Sequence, residues 1–170
     1  MEVVSIPEVI SNFLSEIFVL DLPTPSTSID LQHIYQRYYK QNATINFITQ
    51  IHLERQTFCN LFQGESLNLN QIIESGIVYL QSAFHLFHSL NHHTGPLVLP
   101  PTMVFTWTSG ISLSSSLALP YPALIYDIIM TVSCVAIAHS HLGKAKMEEG
   151  VWAEAGSHFK QAAWLFQVIL

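Results

Sequence analysis

Charged side chains are scarce in this sequence of 170 residues, because Asp, Glu, Lys and Arg together make up only 11% of it. Soluble domains usually carry about 25% charged residues. Hydrophobic residues, by contrast, account for 49%. The length suits one domain with a substantial core. This balance predicts either that the chain packs against another protein or that it belongs to a larger domain whose remainder covers its apolar faces.

Basic residues are the scarcer of the two charged classes. The net charge is −6, and there are only six Lys and Arg residues. They form no run, and they are Arg37, Lys40, Arg55, Lys144, Lys146 and Lys160. Nucleic-acid binding requires clustered basic side chains that neutralise phosphates, and anionic lipid attracts similar clusters. The sequence therefore predicts no nucleic-acid partner and gives no support for electrostatic attraction to a membrane.

Cysteine and glycine are also rare. The two cysteines, Cys59 and Cys134, lie far apart in apolar surroundings, which is typical of buried thiols in an intracellular protein. They form no CxxC pair, which excludes a zinc ribbon and a CxxC redox motif. The seven glycines form no phosphate-binding loop, and no G-x-S-x-G motif is present. No cation neighbours Cys134 in the sequence, so we expect an unreactive thiol.

The sequence contains no obvious targeting or membrane segment. The N-terminal residues include Glu2, Glu8 and Glu16 and no basic stretch, which is unlike a signal peptide. The most apolar run, Ile128 to Ala138, spans about 11 residues, whereas a membrane helix needs about 20. We therefore expect a buried core helix there and no membrane insertion.

Apolar residues at three- and four-residue spacing predict five helices. The first follows Ser5-Ile6-Pro7-Glu8, a sequence typical of a helix start, and a proline-containing linker at residues 21–28 ends it. The second, at about residues 30–62, carries two apolar stripes, which indicates contact on two sides. Asn68 or Asn70 is expected to cap the third, at about 69–91. The last two are predicted at about 123–145 and from Trp152 to the C-terminus.

Strand-like sequence is confined to Met103 to Trp107, which is followed by a serine-rich loop at residues 108–118. The predicted fold class is therefore mostly all-α, with helical hairpins in a tetratricopeptide-like solenoid and at most a short strand near residues 103–107. Small and aromatic residues are predicted to form the packing side of the last helix, and they are Ala155, Phe159, Ala162, Ala163 and Phe166.

Nine histidines raise the possibility of a metal site. Four of them cluster near one helix end, namely His85, His88, His92 and His93. Imidazoles on one helical face suit zinc or copper, but no carboxylate or cysteine lies among these four. We therefore interpret them as solvated side chains. His139 and His141 lie two residues apart on a helix, on different faces, which argues against a shared metal.

Charged residues near helix ends are expected to have structural roles. Glu148 and Glu149 are typical of a solvated turn. Lys144 and Lys146 complement the dipole at a helix C-terminus, and Asp127 complements it at the N-terminus of the same helix. The sequence thus predicts no catalytic, cofactor-binding or metal-binding residue, and a protein that is not an enzyme.

Four segments in the second half of the chain form a further pattern. They are Phe105-Thr106-Trp107 before a serine-rich loop, Tyr126-Asp127 at a helix start, His139-Ser140-x-Leu142-Gly143 at that helix's end, and the Ala155 to Phe166 segment, which reads A-x-x-x-F-x-x-A-A-x-x-F. Together they resemble the N-terminal portion of the Bro1 domain family. Cys134 departs from the pattern, since the family commonly has Asn at this position.

The resemblance implies a mostly helical, banana-shaped adaptor domain of the ESCRT pathway. Such domains bind the C-terminal helix of Snf7-type ESCRT-III subunits in endosomal sorting, and fungal PalC-like relatives act in ambient-pH signalling. A cytoplasmic, endosome-associated location follows from the same resemblance. Residues 1–170 would form one Bro1-like domain that is incomplete at the C-terminus, because the family's binding patch lies on later helices. No partner-binding residue is therefore carried over to this sequence.

A tetratricopeptide repeat is the alternative interpretation. Leu142-Gly143, Ala155, Phe159 and Ala162 match its spacing of small and aromatic residues. Only one such unit is visible, whereas a stable solenoid needs about three. This alternative predicts a peptide-binding module unrelated to ESCRT, with a concave groove lined by the helices at 123–145 and 152–169.

Overall fold

The computed structural model of the protein describes residues 19–26, 29–31, 33, 42–91, 103–108 and 118–169. Within these ranges the chain forms four long helices and three short strands. In chain order the elements are β1 (Thr24–Pro25), α1 (Asn42–Asn60), α2 (Leu69–Asn91), β2 (Phe105–Thr108), β3 (Ala118–Tyr121), α3 (Leu124–Glu148) and α4 (Trp152–Ile169). The predicted fold class, mostly helical with a short strand, is confirmed.

The strands form a small antiparallel sheet in the order β1-β2-β3. The predicted strand near residues 103–107 corresponds to β2, the central strand. The two edge strands were not anticipated, since β1 lies in the predicted linker and β3 begins at the end of the predicted loop. Both contain a proline, Pro25 and Pro120, which weakens the strand signal in sequence yet is tolerated at a sheet edge.

Helices α1 and α2 follow one another with a short connection. The C-terminal end of α1 lies two residues before the predicted end, and the backbone then turns through Leu61 N to Phe58 O and Phe62 N to Cys59 O hydrogen bonds. Asn68 caps α2, because its side-chain oxygen accepts a 3.2 Å hydrogen bond from Gln71 N. The predicted first helix up to residue 18 and residues 32 and 34–41 of the predicted second helix lie outside the described residues.

Helices α3 and α4 pack as an antiparallel hairpin. Gly150 connects them with a φ of +79°, which favours glycine, so the predicted turn is confirmed. Close approach depends on Gly143, because a Cβ there would lie 3.0 Å from the Phe159 ring. Ala155 and Ala162 are buried as predicted. Ala163 is exposed, so its predicted packing role is wrong.

Helix α3 is the centre of the core. Its residues Leu124, Ile128 and Val132 pack with α1 and α2 side chains in one cluster, whereas Cys134 and Val135 pack around Phe58 in a second. The helix extends over 25 residues, well beyond the apolar run that the sequence indicated. By length and composition it could cross a membrane, and among the described residues it alone meets that criterion, but 61% of its most apolar window is buried in the fold. Such burial is compatible with the core helix of a soluble protein.

Candidate functional site

A buried ion pair joins α1 to the first turn of α3. Arg55 Nε donates to Asp127 Oδ2 at 3.0 Å, and Arg55 Nη2 donates to Asp127 Oδ1 at 3.1 Å. The two side chains are 3% and 0% exposed. Asp127 does lie in the first turn of its helix. The sequence predicted only that Asp127 complements the helix dipole. It did not predict the buried ion pair with Arg55.

Two more donors complete the shell of the Asp127 carboxylate. The Tyr79 hydroxyl on α2 donates to Oδ2 at 2.5 Å, and the Trp107 indole Nε1 on β2 donates to Oδ1 at 2.7 Å. Arg55 Nη1 also donates to the backbone oxygen of Ser26, next to β1, at 3.1 Å. The Asp127 carboxylate and the Arg55 guanidinium thus connect α1, α2 and α3 to strand β2 and to Ser26, the residue that follows β1.

The electrostatics of this network keep its other polar groups neutral. Burial, together with the Asp127 charge, raises the pKa of Tyr79 well above its ordinary value. Burial raises the pKa of the Cys59 thiol to about 11, and its Sγ lies 3.7 Å from Ser26 O. Burial alone would lower the pKa of Arg55, but the charge and hydrogen bonds of Asp127 raise it above the usual range. The guanidinium therefore remains charged.

This network is suited to holding the fold together. Each oxygen of Asp127 already accepts two hydrogen bonds, and the carboxylate is fully buried. A substrate would have no exposed atom of Asp127 to meet. A sequence signal did exist for Asp127, which interrupts the apolar stretch from Leu124 to Met130, and a buried charge requires a partner.

A second polar pair lies between α3 and α4. His139 Nδ1 and His158 Nδ1 are 3.0 Å apart, so one imidazole donates a hydrogen bond to the other. Burial, followed by the neighbouring His158, lowers the pKa of His139 to about 4. The His139 imidazole is therefore neutral at neutral pH. His141 faces elsewhere and contacts Leu20 O at 3.0 Å, which confirms the prediction that His139 and His141 lie on different faces.

The predicted histidine cluster lies only partly within the described residues. His85 and His88 are exposed on α2, whereas His92 and His93 lie outside the described residues. Within the described parts of the chain, no three His, Cys, Asp or Glu side chains are grouped to hold a metal. Burial raises the pKa of Cys134, as expected for an unreactive thiol.

The two acidic residues of the predicted turn are exposed as well. Glu149 accepts a 2.7 Å hydrogen bond from Lys146 Nζ. This contact stabilises the end of α3, in agreement with the structural roles that the sequence predicted for its charged residues.

An open apolar groove lies between α2, α3 and α4. It encloses about 450 Å³. Its walls include Ile77 and Phe84 of α2, Val132 and His139 of α3, and Trp164 and Val168 of α4. Trp164 is 62% exposed and Val168 is 52% exposed. The groove involves the two C-terminal helices, as the repeat interpretation predicted, and α2 adds a wall that the sequence did not indicate.

Comparison with known proteins identifies no similar protein. The chain matches no protein-family model, no curated protein and no solved structure.

Proposed function

We propose that this chain is a protein-interaction module that binds the apolar face of an amphipathic helix in the groove between α2, α3 and α4. The supporting observation is the exposure of large apolar side chains on both walls. Phe84 and Ile77 on α2 are 43% and 42% exposed and face Trp164 and Val168 on α4 across the groove. Contiguous exposed apolar surface of this kind is typical of interaction sites.

The shape and polarity of the groove suit a helical ligand. An amphipathic helix presents apolar residues at i, i+3, i+4 and i+7, and it inserts them between two helices of its receptor. The floor here is apolar, through Leu80, Val132 and Leu165. Gln81 and Gln161 stand at the edges, where their amides are able to hydrogen-bond the polar flank of such a helix.

For the cellular role, we propose an adaptor of the ESCRT pathway that acts in endosomal sorting or ambient-pH signalling at the endosome. This proposal is supported only by the Bro1-like sequence pattern. Phe105, Trp107, Gly143 and Ala155 of that pattern are buried, so they contribute to the scaffold and not to the groove. The partner that the resemblance implies is the C-terminal helix of a Snf7-type ESCRT-III subunit.

The alternative, a tetratricopeptide-like module unrelated to ESCRT, is favoured by the position of the groove on α3 and α4. Both proposals predict binding of a helix, and they differ in which helix binds.

The experiment is a titration of fluorescently labelled helical peptides, followed by anisotropy. One peptide is the C-terminal helix of a Snf7-type subunit, and the others are unrelated amphipathic helices. We expect micromolar binding that the Trp164→Ala substitution weakens by about tenfold or more. A tryptophan that becomes buried when a partner binds is a typical interface hot spot. Trp152→Ala is the matched control, because Trp152 lies on α4, is 48% exposed and does not line the groove.

Three outcomes separate the possibilities. Binding of the Snf7-type peptide alone supports the ESCRT adaptor, and binding of unrelated helices alone supports the generic module. If no helical peptide binds, or if Trp164→Ala and Trp152→Ala have the same effect, the groove is not the binding site and the proposal is wrong.

A further inference from the structure

One buried polar side chain, His139 of α3, borders the otherwise apolar floor of the groove. It lines the groove beside Val132 of the same helix, and only 5% of it is exposed. The two other polar residues of the described lining, Gln81 and Gln161, are exposed and keep their access to water. A helix that fills the groove therefore covers His139 more completely than it covers the two glutamines.

The two ring nitrogens of His139 have different surroundings. Nδ1 lies 3.0 Å from Nδ1 of His158, in the hydrogen bond between α3 and α4. Nε2 makes no hydrogen bond with the described part of the chain, and it is not sealed inside the fold. Because His139 borders the groove and is covered elsewhere, the open space that Nε2 reaches is the groove.

His139 presents a neutral hydrogen-bonding group to a ligand. Its pKa of about 4, lowered by burial and then by His158, leaves the ring uncharged at neutral pH. In a neutral imidazole one nitrogen donates and the other accepts. Either ring of the pair is able to donate the hydrogen bond between them, so Nε2 of His139 donates in one tautomer and accepts in the other. No Asp, Glu, Lys or Arg is among the described residues that line the groove, so a charged ligand side chain would find no opposite charge.

A purely apolar ligand would leave Nε2 of His139 without a partner. The open groove admits water to this atom in the free protein, whereas an apolar helix displaces that water and offers no donor or acceptor. A polar atom buried in this way costs binding free energy. A hydroxyl both donates and accepts, so it satisfies Nε2 in either tautomer. A carboxamide does so too, but it brings a second polar group that the apolar floor would leave unpaired.

We infer that the helix bound in the groove carries one serine or threonine within its apolar face, whose hydroxyl forms a hydrogen bond with Nε2 of His139. This inference rests on the proposed function, and it specifies the partner as an amphipathic helix whose apolar face is interrupted by a single hydroxyl. His139 is then a specificity-determining residue, because helices without a hydroxyl at this point are disfavoured and those with one bind in a single register.

The test uses helical peptides that share one apolar face of leucine and valine, with threonine in place of valine at one position at a time. Threonine and valine are both branched at Cβ, so each pair of peptides differs only in a hydroxyl. At one position we expect the wild-type chain to bind the threonine peptide about fivefold more tightly, as for one net hydrogen bond. At the remaining positions the valine peptide should bind more tightly.

Two variants assign the preference to His139. His139→Leu removes Nε2, and it should bind the valine peptide more tightly at every position. His158→Gln is the matched control, since it alters the same pair of side chains but retains Nε2 of His139, and it should keep the preference for threonine. Nitrogen NMR of the histidine rings in the wild-type chain is a second readout, because the Nε2 resonance of His139 should shift more with the threonine peptide than with its valine counterpart.

The outcomes distinguish this inference from the proposal on which it rests. If the wild-type chain prefers valine at every position, the groove binds helices without selecting a hydroxyl, and the inference is overturned. A threonine preference that persists in His139→Leu would also overturn it, because another group would then bind the hydroxyl. If His139→Leu binds no peptide, the NMR comparison decides, and equal shifts of Nε2 with both peptides refute the inference. If no peptide binds the wild-type chain, the proposed function itself has failed.

Discussion

Asp127 on α3 and Arg55 on α1 form a two-point ion pair, with nitrogen–oxygen distances of 3.0 and 3.1 Å, that water does not reach. The two residues are 72 positions apart in the chain. The pair therefore forms only when α1 and α3 are in place, and it makes the packing of these helices specific.

Removal of either partner of this pair should strongly destabilise the fold. We expect Arg55→Met and Asp127→Asn each to lower the free energy of unfolding by about 3–5 kcal/mol, because each leaves buried polar groups without a partner. The double variant should lose clearly less than the sum of the two. Urea denaturation measures all three values. Lys146→Met, which removes the surface ion pair with Glu149, is the control and should lower stability far less. Additive losses would contradict the coupling.

The Tyr79 hydroxyl should contribute through Asp127 alone. We expect Tyr79→Phe to lower the free energy of unfolding by about 1.5–3 kcal/mol, since the lost hydrogen bond ends on a buried charge. Tyr121→Phe is the matched control, because Tyr121 is 56% exposed, and it should change stability by less than about 0.5 kcal/mol. Equal effects in urea denaturation would show that the buried hydroxyl has no special role.

Two helical glycines should respond oppositely to alanine. A Cβ at Gly76 of α2 would lie 2.6 Å from Val135 Cγ2 of α3, whereas one at Gly156 of α4 would meet nothing within 4 Å. We expect Gly76→Ala to destabilise by about 1–3 kcal/mol through overpacking. Gly156→Ala should stabilise by about 0.5–1 kcal/mol through helix propensity. Thermal and urea denaturation check both, and a stabilising Gly76→Ala would refute the close packing of α2 on α3.

Stability should fall in mild acid because of the histidine pair. The folded-state pKa of His139 is about 4, below its ordinary value, so the unfolded chain binds a proton more readily than the folded one. This contribution is complete above about pH 6.5 and is lost as the pH falls towards 4. Between pH 7 and pH 5 we expect a loss of about 1–2 kcal/mol.

The variant that tests this prediction is His139→Gln, with its free energy of unfolding measured by urea denaturation at both pH values. The variant should show a smaller loss between pH 7 and pH 5 than the wild-type chain, since the residue that resists protonation is gone. His33→Gln, at an exposed position, should retain the full loss. Identical pH dependence in all three proteins would mean that the pair does not cause the effect.

The sequence predicted helix positions well where apolar periodicity is strong. The bounds of α2 and the start of α4 agree with prediction, because capping by Asn68 and the Gly150 turn are local signals. The end of α3 was placed about three residues early, since lysines and alanines there continue the helix without an apolar pattern. The short edge strands escaped detection because Pro25 and Pro120 suppress the propensity for strand.

The candidate site was less predictable. Asp127 was recognised as a helix-start residue, but its contact with Arg55 depends on the packing of two helices that are distant in sequence. His139 was separated correctly from His141, yet its partner His158 lies on the next helix and became visible only in the folded structure. The groove presents the same difficulty, because Phe84 lies on the apolar stripe of α2 in the sequence, yet the fold leaves it 43% exposed.

By itself, the sequence determined the helical class, most helix boundaries, the α3–α4 hairpin and the scarcity of cationic surface. These properties follow from local propensity and from composition, which act within a few residues of the chain. The tertiary structure alone decided that the Asp127 carboxylate is the buried centre of a four-donor shell. It also decided that Trp164 faces solvent across an open groove. These features depend on distances between separate helices, and periodicity identifies the apolar side of a helix but not the surface that covers it.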